Sequence, residues 1–177
     1  MKKTLKKLAS VLLAACLMLG LVACGNPVKK DIVNYFDKEL GAYEKEMNDT
    51  LDSYNALMAK SSTITQEELV KGLNEDLIPK YEDLYEKISK IKPETEEVQK
   101  FHDTYVEALK LNVDGMKKVS EAVEKTEQSL MAEAQKIATE AQNKMNECKE
   151  IAQDFQDKYK VKISLYDDGS SNYYNRN

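Results

Sequence analysis

The apolar residues of the chain recur every three or four positions over long stretches, which is the spacing of a helix with one buried face. The first such stretch predicts a helix over residues 31–60, with charged and amide side chains on its opposite face. The polar sequence at residues 61–63 predicts the loop that ends this helix. The predicted apolar face consists of Ile32, Phe36, Leu40, Tyr43, Met47, Leu51, Tyr54 and Met58.

A second helix is predicted to open at a capping box, because Thr65 is followed three residues later by Glu68. Pro79 lacks an amide hydrogen and its ring collides with an earlier carbonyl, so we expect a kink near residues 75–79. Pro93 ends the segment, and we expect it at the first position of the next helix. The second apolar face consists of Leu69, Leu73, Leu77, Tyr81, Leu84, Ile88 and Ile91.

Residues 94–159 contain no proline and a single glycine. One helix of this length would measure about 100 Å and would extend far beyond the first two. We therefore predict a turn at residues 124–129, where the apolar residues lapse and Thr126 could act as a cap. Two apolar stripes flank this turn, the second rich in alanine: Val98, Phe101, Tyr105, Leu109, Asn112, Met116, Val119 and Val123, then Met131, Ala134, Ala138, Ala141, Met145, Cys148, Ala152, Phe155 and Tyr159.

These patterns predict an all-α fold, an antiparallel bundle of three or four long amphipathic helices over residues 31–160. Four helices are favoured, and an elongated three-helix coiled coil is the alternative. Residues 161–166 alternate like a strand but have no evident partner, so we expect them to lie extended along the bundle. With the polar residues that follow, they predict an extended, largely disordered tail over residues 161–177. Tyr173 and Tyr174 in this tail could stack on a sugar or a partner, or be simply exposed.

The first 23 residues differ from the rest of the chain. Four lysines, at positions 2, 3, 6 and 7, precede an uncharged run at residues 8–23, an arrangement typical of a secretory signal. A membrane-spanning helix usually needs about 20 apolar residues, and this run has 16. A permanent membrane-spanning anchor is therefore the less favoured interpretation.

The end of this leader, Leu21-Val22-Ala23-Cys24, resembles the lipobox of bacterial lipoprotein precursors at all four positions. The resemblance implies transfer of a diacylglycerol to the Cys24 sulfur and cleavage between Ala23 and Cys24. It also implies attachment of fatty acyl chains, such as palmitate, at the extracytoplasmic face of the cell membrane. Residues 24–30 would then form a short lipidated tether before the bundle.

A second match to the same pattern, Leu13-Ala14-Ala15-Cys16, is the alternative. Cleavage before Cys16 would leave the apolar residues 17–23 at the start of the mature chain and would shorten the hydrophobic run. Cys24 is therefore the favoured lipidation site. The body of the chain is also similar to small helical lipoproteins of Gram-positive bacteria, in which a stretch like Ile91-Lys92-Pro93 through His102 opens the third helix.

The charge of the mature chain excludes one class of partner. Removing the four leader lysines from 26 basic residues leaves 22 against 31 acidic ones, a net charge of −9. Nucleic-acid binding requires clustered positive charge, so we expect no nucleic-acid partner. The same acidity gives no attraction to anionic lipid, so membrane attachment would depend on the lipid at Cys24.

No pattern in the chain indicates catalysis. His102 is the sole histidine and is expected at the edge of an apolar face, while Cys148 is expected to be buried as a small apolar residue. Adjacent carboxylates on a helix point about 100° apart and cannot converge on one bond. We therefore expect no enzyme activity, no catalytic residues, no metal and no cofactor.

Two functions remain open from the sequence. The favoured one is a non-enzymatic envelope protein that binds or positions another envelope component. The alternative is a bundle that binds a small apolar ligand or lipid in a pocket lined by Tyr43, Tyr54, Tyr81 and Tyr105 with Met47, Met58 and Met116.

Overall fold

The computed structural model describes residues 25–163 with their side chains and the backbone of residues 15–17, 164 and 165. Within this part of the chain, four helical segments run alternately up and down: α1 over residues 27–60, α2 over 66–88, α3 over Glu96–Lys125 and α4 over Gln128–Tyr159. The predicted all-α bundle is confirmed. Helices α3 and α4 are separate, so the three-helix alternative is wrong.

Helix α1 begins earlier than predicted. The Asn26 side chain accepts hydrogen bonds from the amides of Val28 and Lys29, at 3.0 and 3.2 Å, and Pro27 lies in the first turn, where a missing amide hydrogen does no harm. The prediction that residues 24–30 form a tether is therefore wrong for residues 27–30, which are helical.

Helix α1 is also irregular. It consists of an α-helix at Pro27–Asn34, a π-helix at Tyr35–Leu40, a 3₁₀ turn at Gly41–Tyr43 and an α-helix at Glu44–Lys60. A wide π turn adds a residue to the turn and changes which side chains face inward. The neighbours Tyr35 and Phe36, at the start of the π-helix, are both buried.

Helix α2 opens at the predicted capping box, in which Thr65 and Glu68 each bind the other's backbone amide. It runs as an α-helix over Gln66–Gly72, a π-helix over Leu73–Leu77 and an α-helix over Ile78–Ile88. The interruption expected from Pro79 takes the form of this π turn, which ends at Leu77, two residues before the proline.

The start of α3 differs from the prediction made for Pro93. The helix begins at Glu96 after an extended Thr95, so Pro93 lies outside it. The cause is Asp31 of α1, whose Oδ2 accepts hydrogen bonds from the amides of Glu94 and Thr95, at 3.1 and 2.7 Å, and from the Thr95 hydroxyl at 2.6 Å. These bonds hold residues 94 and 95 out of the helix.

The turn predicted at residues 124–129 is confirmed between α3 and α4. Thr126 does not cap α4 as expected; it ends α3 in the left-handed conformation, with φ of 53°, and Glu127 precedes α4. Helix α3 packs against each of the other three helices. All residues of the alanine-rich stripe on α4 are buried except the partly buried Met131.

Aromatic side chains join the helices near one end of the bundle. The Phe101 ring of α3 has its centroid 4.8 Å from that of Phe36 on α1 and 6.3 Å from that of Phe155 on α4. Tyr35 packs edge-on against Phe101 at 5.9 Å. The core is therefore continuous across three helices at this level.

A short two-stranded sheet completes the fold. Strand β1, Ala15–Leu17, pairs antiparallel with strand β2, Ile163–Leu165, with Leu17 opposite Ile163 and Ala15 opposite Leu165. The expectation that residues 161–166 have no partner strand is wrong, and Val161 and Ile163 are buried rather than part of a loose tail. Residues 166–177, including Tyr173 and Tyr174, lie outside the described part of the chain.

Candidate functional site

The alternation of the helices gives the bundle two distinct ends. At one end, which we call the anchor end, the Lys29 ammonium lies 3.5 Å from the Lys160 carbonyl oxygen, so the start of α1 adjoins the end of α4. At the other, which we call the distal end, Gln66 donates a hydrogen bond to the Val123 carbonyl. Helix α3 has 30 residues, which sets the two ends about 45 Å apart.

The predicted lipid-attachment residues Leu21, Val22, Ala23 and Cys24 lie outside the described residues. The described chain resumes at Gly25, whose φ of 130° is one that glycine adopts without strain. Only Gly25 and Asn26 separate Cys24 from α1, a span of about 10 Å. A lipid carried by Cys24 would therefore leave the anchor end close to the membrane.

Asp31 connects two helices at the anchor end. Asp31 is 1% exposed, and its three hydrogen bonds to residues 94 and 95 connect α1 to the segment directly before α3. Buried carboxylates require such donors. Glu39, eight residues on, has its pKa raised by burial and by the charge of Asp31. Asp31 and Glu39 contact only groups of the protein itself in the hydrogen bonds described, so their role there is structural.

His102 does not lie at the edge of an apolar face as predicted. His102 is 3% exposed, and its Nδ1 lies 3.1 Å from the Tyr35 hydroxyl. The two rings pack edge-to-face. Burial lowers the pKa of the imidazole, which favours its neutral form. No pattern in the sequence indicated this pair, because its two members are 67 residues apart.

Cys148 is buried in the alanine-rich stripe, as predicted. Burial raises the pKa of its thiol to about 12. Nucleophilic and metal-binding cysteines act as thiolates, and burial disfavours that form of Cys148 at neutral pH. Among the described residues, no three His, Cys, Asp or Glu side chains are arranged so as to hold a metal ion.

The tyrosines expected to line an interior pocket are mostly packed in the core. Tyr54, Tyr81 and Tyr105 are buried with Met47 and Met116, whereas Tyr43 and Met58 are only partly buried. The Tyr105 hydroxyl donates to the Met47 sulfur at 3.4 Å. These side chains contact one another, which is the arrangement of a packed bundle.

A groove of about 440 Å³ lies instead at the distal end, between the α1–α2 loop and the α3–α4 turn. Leu69 and Val123 form its buried floor, and the partly exposed Ile64 and Met131 form apolar walls. We call it the distal groove. The remaining lining residues are mainly polar: Ser61, Thr65, Gln66, Ala122, Thr126, Glu127 and Gln128.

A second groove, of about 510 Å³, lies at the anchor end between α3 and α4. Its lining is more charged and includes Glu97, Lys100, Asp154 and Lys158 around the apolar Phe155. The Lys158 ammonium lies 5.0 Å from the centre of the Tyr159 ring. This groove offers less apolar surface than the distal groove does.

None of the described helices is long and apolar enough to cross a bilayer. Neither the curated proteins nor the solved structures gave a significant match to the chain. Residues 5–164 match the family described as EMYY-motif containing lipoprotein. The tetrapeptide Glu-Met-Tyr-Tyr does not occur in the chain, so the match rests on the sequence as a whole. The match spans most of the chain, from the leader through all four helices and into β2, and the chain therefore belongs to the EMYY-motif containing lipoproteins, lipid-anchored proteins of the bacterial cell envelope.

Proposed function

We propose that this protein is a non-enzymatic bundle, anchored by lipid on Cys24 at the extracytoplasmic face of the cell membrane, that binds or positions another envelope component through its distal end. Membership of a lipoprotein family supports the lipid anchor, and the sequence Leu21-Val22-Ala23-Cys24 supports its position. The acidic mature chain adds no electrostatic attraction to the bilayer, so the lipid alone would hold it there.

The absence of an enzymatic role is supported by the state of the two residues best suited to catalysis. His102 is buried against the Tyr35 ring and hydrogen-bonded to its hydroxyl, and Cys148 is fully buried on α4. Neither lines any of the grooves described above. A general base or nucleophile must reach its substrate, and these side chains do not.

The position of the distal groove is the observation that supports the proposed binding role. Its apolar floor lies about 45 Å from the anchor end, where an incoming protein meets no bilayer. Burying Ile64 and Met131 under a partner's apolar side chain would remove exposed apolar surface, while Gln66 and Gln128 offer hydrogen bonds at the rim. This combination of apolar centre and polar rim suits a protein partner.

A small apolar ligand or lipid remains the second candidate, at this groove rather than among the core tyrosines. The groove volume falls within the range of small-molecule sites, about 300–1,000 Å³. A fluorescent fatty-acid analogue provides the probe. Saturable binding that Val123→Asp abolishes, without displacement by an envelope extract, would favour this candidate over the protein partner.

The anchor is tested by Cys24→Ala in the full chain. Labelling with a fatty-acid analogue should vanish and the uncleaved precursor should persist, because the substitution removes the sulfur that would be acylated. Cys16→Ala is the matched control and should change neither result. A Cys24→Ala protein that remains labelled, or that stays in the membrane fraction after a high-salt wash in cleaved form, would contradict the proposed anchor.

The distal surface is tested by photo-crosslinking in intact cells. A photoreactive residue at Gln128, which is exposed beside the groove, should give a discrete crosslinked product that is lost with Met131→Asp. The matched control is Thr139, exposed on the same helix but three turns closer to the anchor end. Equal products from both positions would contradict a partner at the distal end.

A further inference from the structure

The distal groove is bordered by an excess of negative charge. The two segments that form it, residues 61–69 and 122–131, contain four exposed glutamates and a single lysine. That lysine, Lys125, pairs with Glu121 at 2.7 Å, so its charge is already compensated from outside the two segments. The four glutamates are Glu67, Glu68, Glu124 and Glu127.

The groove at the anchor end provides a comparison on the same chain. Its lining combines the acids Glu97, Asp154 and Asp157 with the bases Lys100 and Lys158, so the two signs nearly balance. The excess of acid at the distal groove is therefore a property of that end of the bundle, and it does not follow from the acidity of the chain alone.

The walls of the distal groove restrict how a protein segment can bind there. Addition of a strand requires a sheet edge, and the two sides of this groove are helix ends and turns. Proline-rich segments bind between aromatic side chains, and the lining residues described above include none. Phosphorylated segments bind clusters of arginine, whereas this rim is acidic. An amphipathic helix laid into an apolar groove is the remaining common mode.

The apolar centre of the groove suits such a helix. Leu69 and Val123 form the floor, and the flexible side chains of Ile64 and Met131 form walls that can adjust to large aliphatic groups. Side chains three or four residues apart lie on one face of a helix. One apolar face can therefore enter the groove while the residues beside that face reach the acidic rim.

We propose that the distal groove binds an amphipathic helix of another envelope protein, with large aliphatic side chains on the bound face and lysine or arginine beside them. The inference rests on the proposed function, because it specifies the partner of the same groove. Attraction between the acidic rim and a basic helix increases the association rate and excludes acidic competitors. A second copy of this chain is disfavoured as the occupant, since the mature chain is itself acidic.

Synthetic peptides test the chemistry of this partner. The protein is the full mature lipoprotein, reconstituted in phosphatidylcholine nanodiscs, with a photoreactive residue at Gln128. The probe is an amphipathic helix of leucine and lysine, and its control has glutamate at every lysine position. We expect about ten times more crosslinked product with the lysine peptide, because only its charge complements the rim. Equal products from the two peptides would overturn the inference.

Neutralising the rim tests the same point from the side of the protein. Glu124→Gln with Glu127→Gln should reduce the product with the lysine peptide about fivefold, because rim charges act on association. The matched control is Glu140→Gln with Glu150→Gln, which removes the same charge from exposed positions on α4, more than a Debye length from the groove. The control should change the product less than about twofold. Both variants should retain the helical circular dichroism of the wild type, and equal loss of product in both would contradict a role for the rim.

The segment captured in intact cells provides the second measurement. Mass spectrometry of the product formed at position 128 should identify a peptide with apolar residues at helical spacing and with lysine or arginine beside them. A captured peptide without basic residues, a product between two copies of this chain, or a product with lipid would overturn the inference.

The outcomes separate this inference from the proposed function. A protein product that is lost with Met131→Asp but unchanged by Glu124→Gln with Glu127→Gln would retain the distal binding role and reject the basic helix as partner. If position 128 gives no more product in cells than the control position Thr139, both the binding role and this inference are wrong.

Discussion

The two halves of the bundle reach the same architecture by different means. Helices α1 and α2 each contain a π turn, and they fill the core with large side chains such as Tyr35, Phe36 and Leu73. Helices α3 and α4 are uninterrupted over 30 and 32 residues, and α4 contributes small residues such as Ala138 and Ala141. The first pair is irregular in backbone and bulky, whereas the second is regular and closely packed.

The difference indicates how well each half can accommodate larger side chains. Small residues let two helix backbones approach closely and leave no room for added atoms. A π turn instead redirects side chains without lengthening the element, so a bulky aromatic cluster can fit beside a straight helix. The irregular half therefore adapts to the regular one, which serves as the frame.

The largest expected effect comes from a charge placed in either half. Leu73→Asp in α2 and Met145→Asp in α4 each put an unpaired carboxylate at a fully buried position. We expect each to reduce the free energy of unfolding by about 3–5 kcal/mol, measured by urea denaturation followed by circular dichroism. Both should unfold the whole bundle, because one core connects the halves.

The two variants also test whether the halves are independent. If Leu73→Asp removed only about half of the helical signal at low urea, α3 and α4 would fold without α1 and α2. That result would contradict a single cooperative core. Leu73→Met and Met145→Leu are matched controls that retain apolar volume, and each should cost less than about 1.5 kcal/mol.

Substitution of Gly41, in the irregular half, is expected to have an intermediate effect on stability. A Cβ at Gly41 would lie 2.8 Å from the backbone oxygen of Phe36, inside the π turn, where the backbone cannot move aside cheaply. We expect Gly41→Ala to lower stability by about 1–3 kcal/mol. A thermal melting temperature equal to that of the wild type would show that the π turn is adjustable.

Gly72→Ala is the matched control for Gly41→Ala. A Cβ there would lie 2.7 Å from Cδ1 of Leu57, the end of a flexible and only partly buried side chain. Alanine is about 1 kcal/mol better than glycine inside a helix, which offsets the displacement. We expect Gly72→Ala to be within about 1 kcal/mol of the wild type by the same measurement.

The smallest expected effect is the pH dependence of stability that arises from His102, which contacts Tyr35 across the two halves. Burial lowers the folded-state pKa of His102 below the ordinary value near 6.5, with Asp103 opposing and Lys92 reinforcing the shift. Protonation therefore favours the unfolded state. The contribution of His102 to stability is complete above about pH 6.5 and is lost as pH falls towards the lowered folded-state pKa.

The urea midpoint should accordingly fall between pH 7.5 and pH 5.5, and it should fall less in His102→Gln. The comparison of the two proteins is required because Glu39 has a raised pKa, so its protonation on acidification acts in the opposite direction. Equal pH dependence in both proteins would show that His102 stays neutral throughout this range. Tyr35→Phe keeps the ring but removes the hydroxyl, and it separates the hydrogen bond from the packing.

Local signals in the sequence predicted most of the fold. The spacing of apolar residues gave the four helices, and the capping box at Thr65 and Glu68 gave the start of α2. The lapse of apolar residues at 124–129 gave the last turn. These predictions succeeded because each depends on residues within one or two helical turns of one another.

The features that were missed depend on residues far apart in the chain. Asp31 determines where α3 begins, and Tyr35 encloses His102, across separations of more than 60 residues. The π turns of α1 and α2 were not predicted either, because the spacing of apolar residues there fits a regular helix as well. The distal groove lies between two turns about 60 residues apart, so no local pattern could indicate it.

The contact between Lys29 and Lys160 has a consequence for rearranging the chain. An even number of antiparallel helices brings the chain's entry and exit to the same end, so a short linker could join residue 160 to residue 26. New termini could then be opened at the exposed Thr126–Glu127 turn. Such a circular permutant would keep every helix intact and would present its free ends at the distal end, where a reporter domain could be attached.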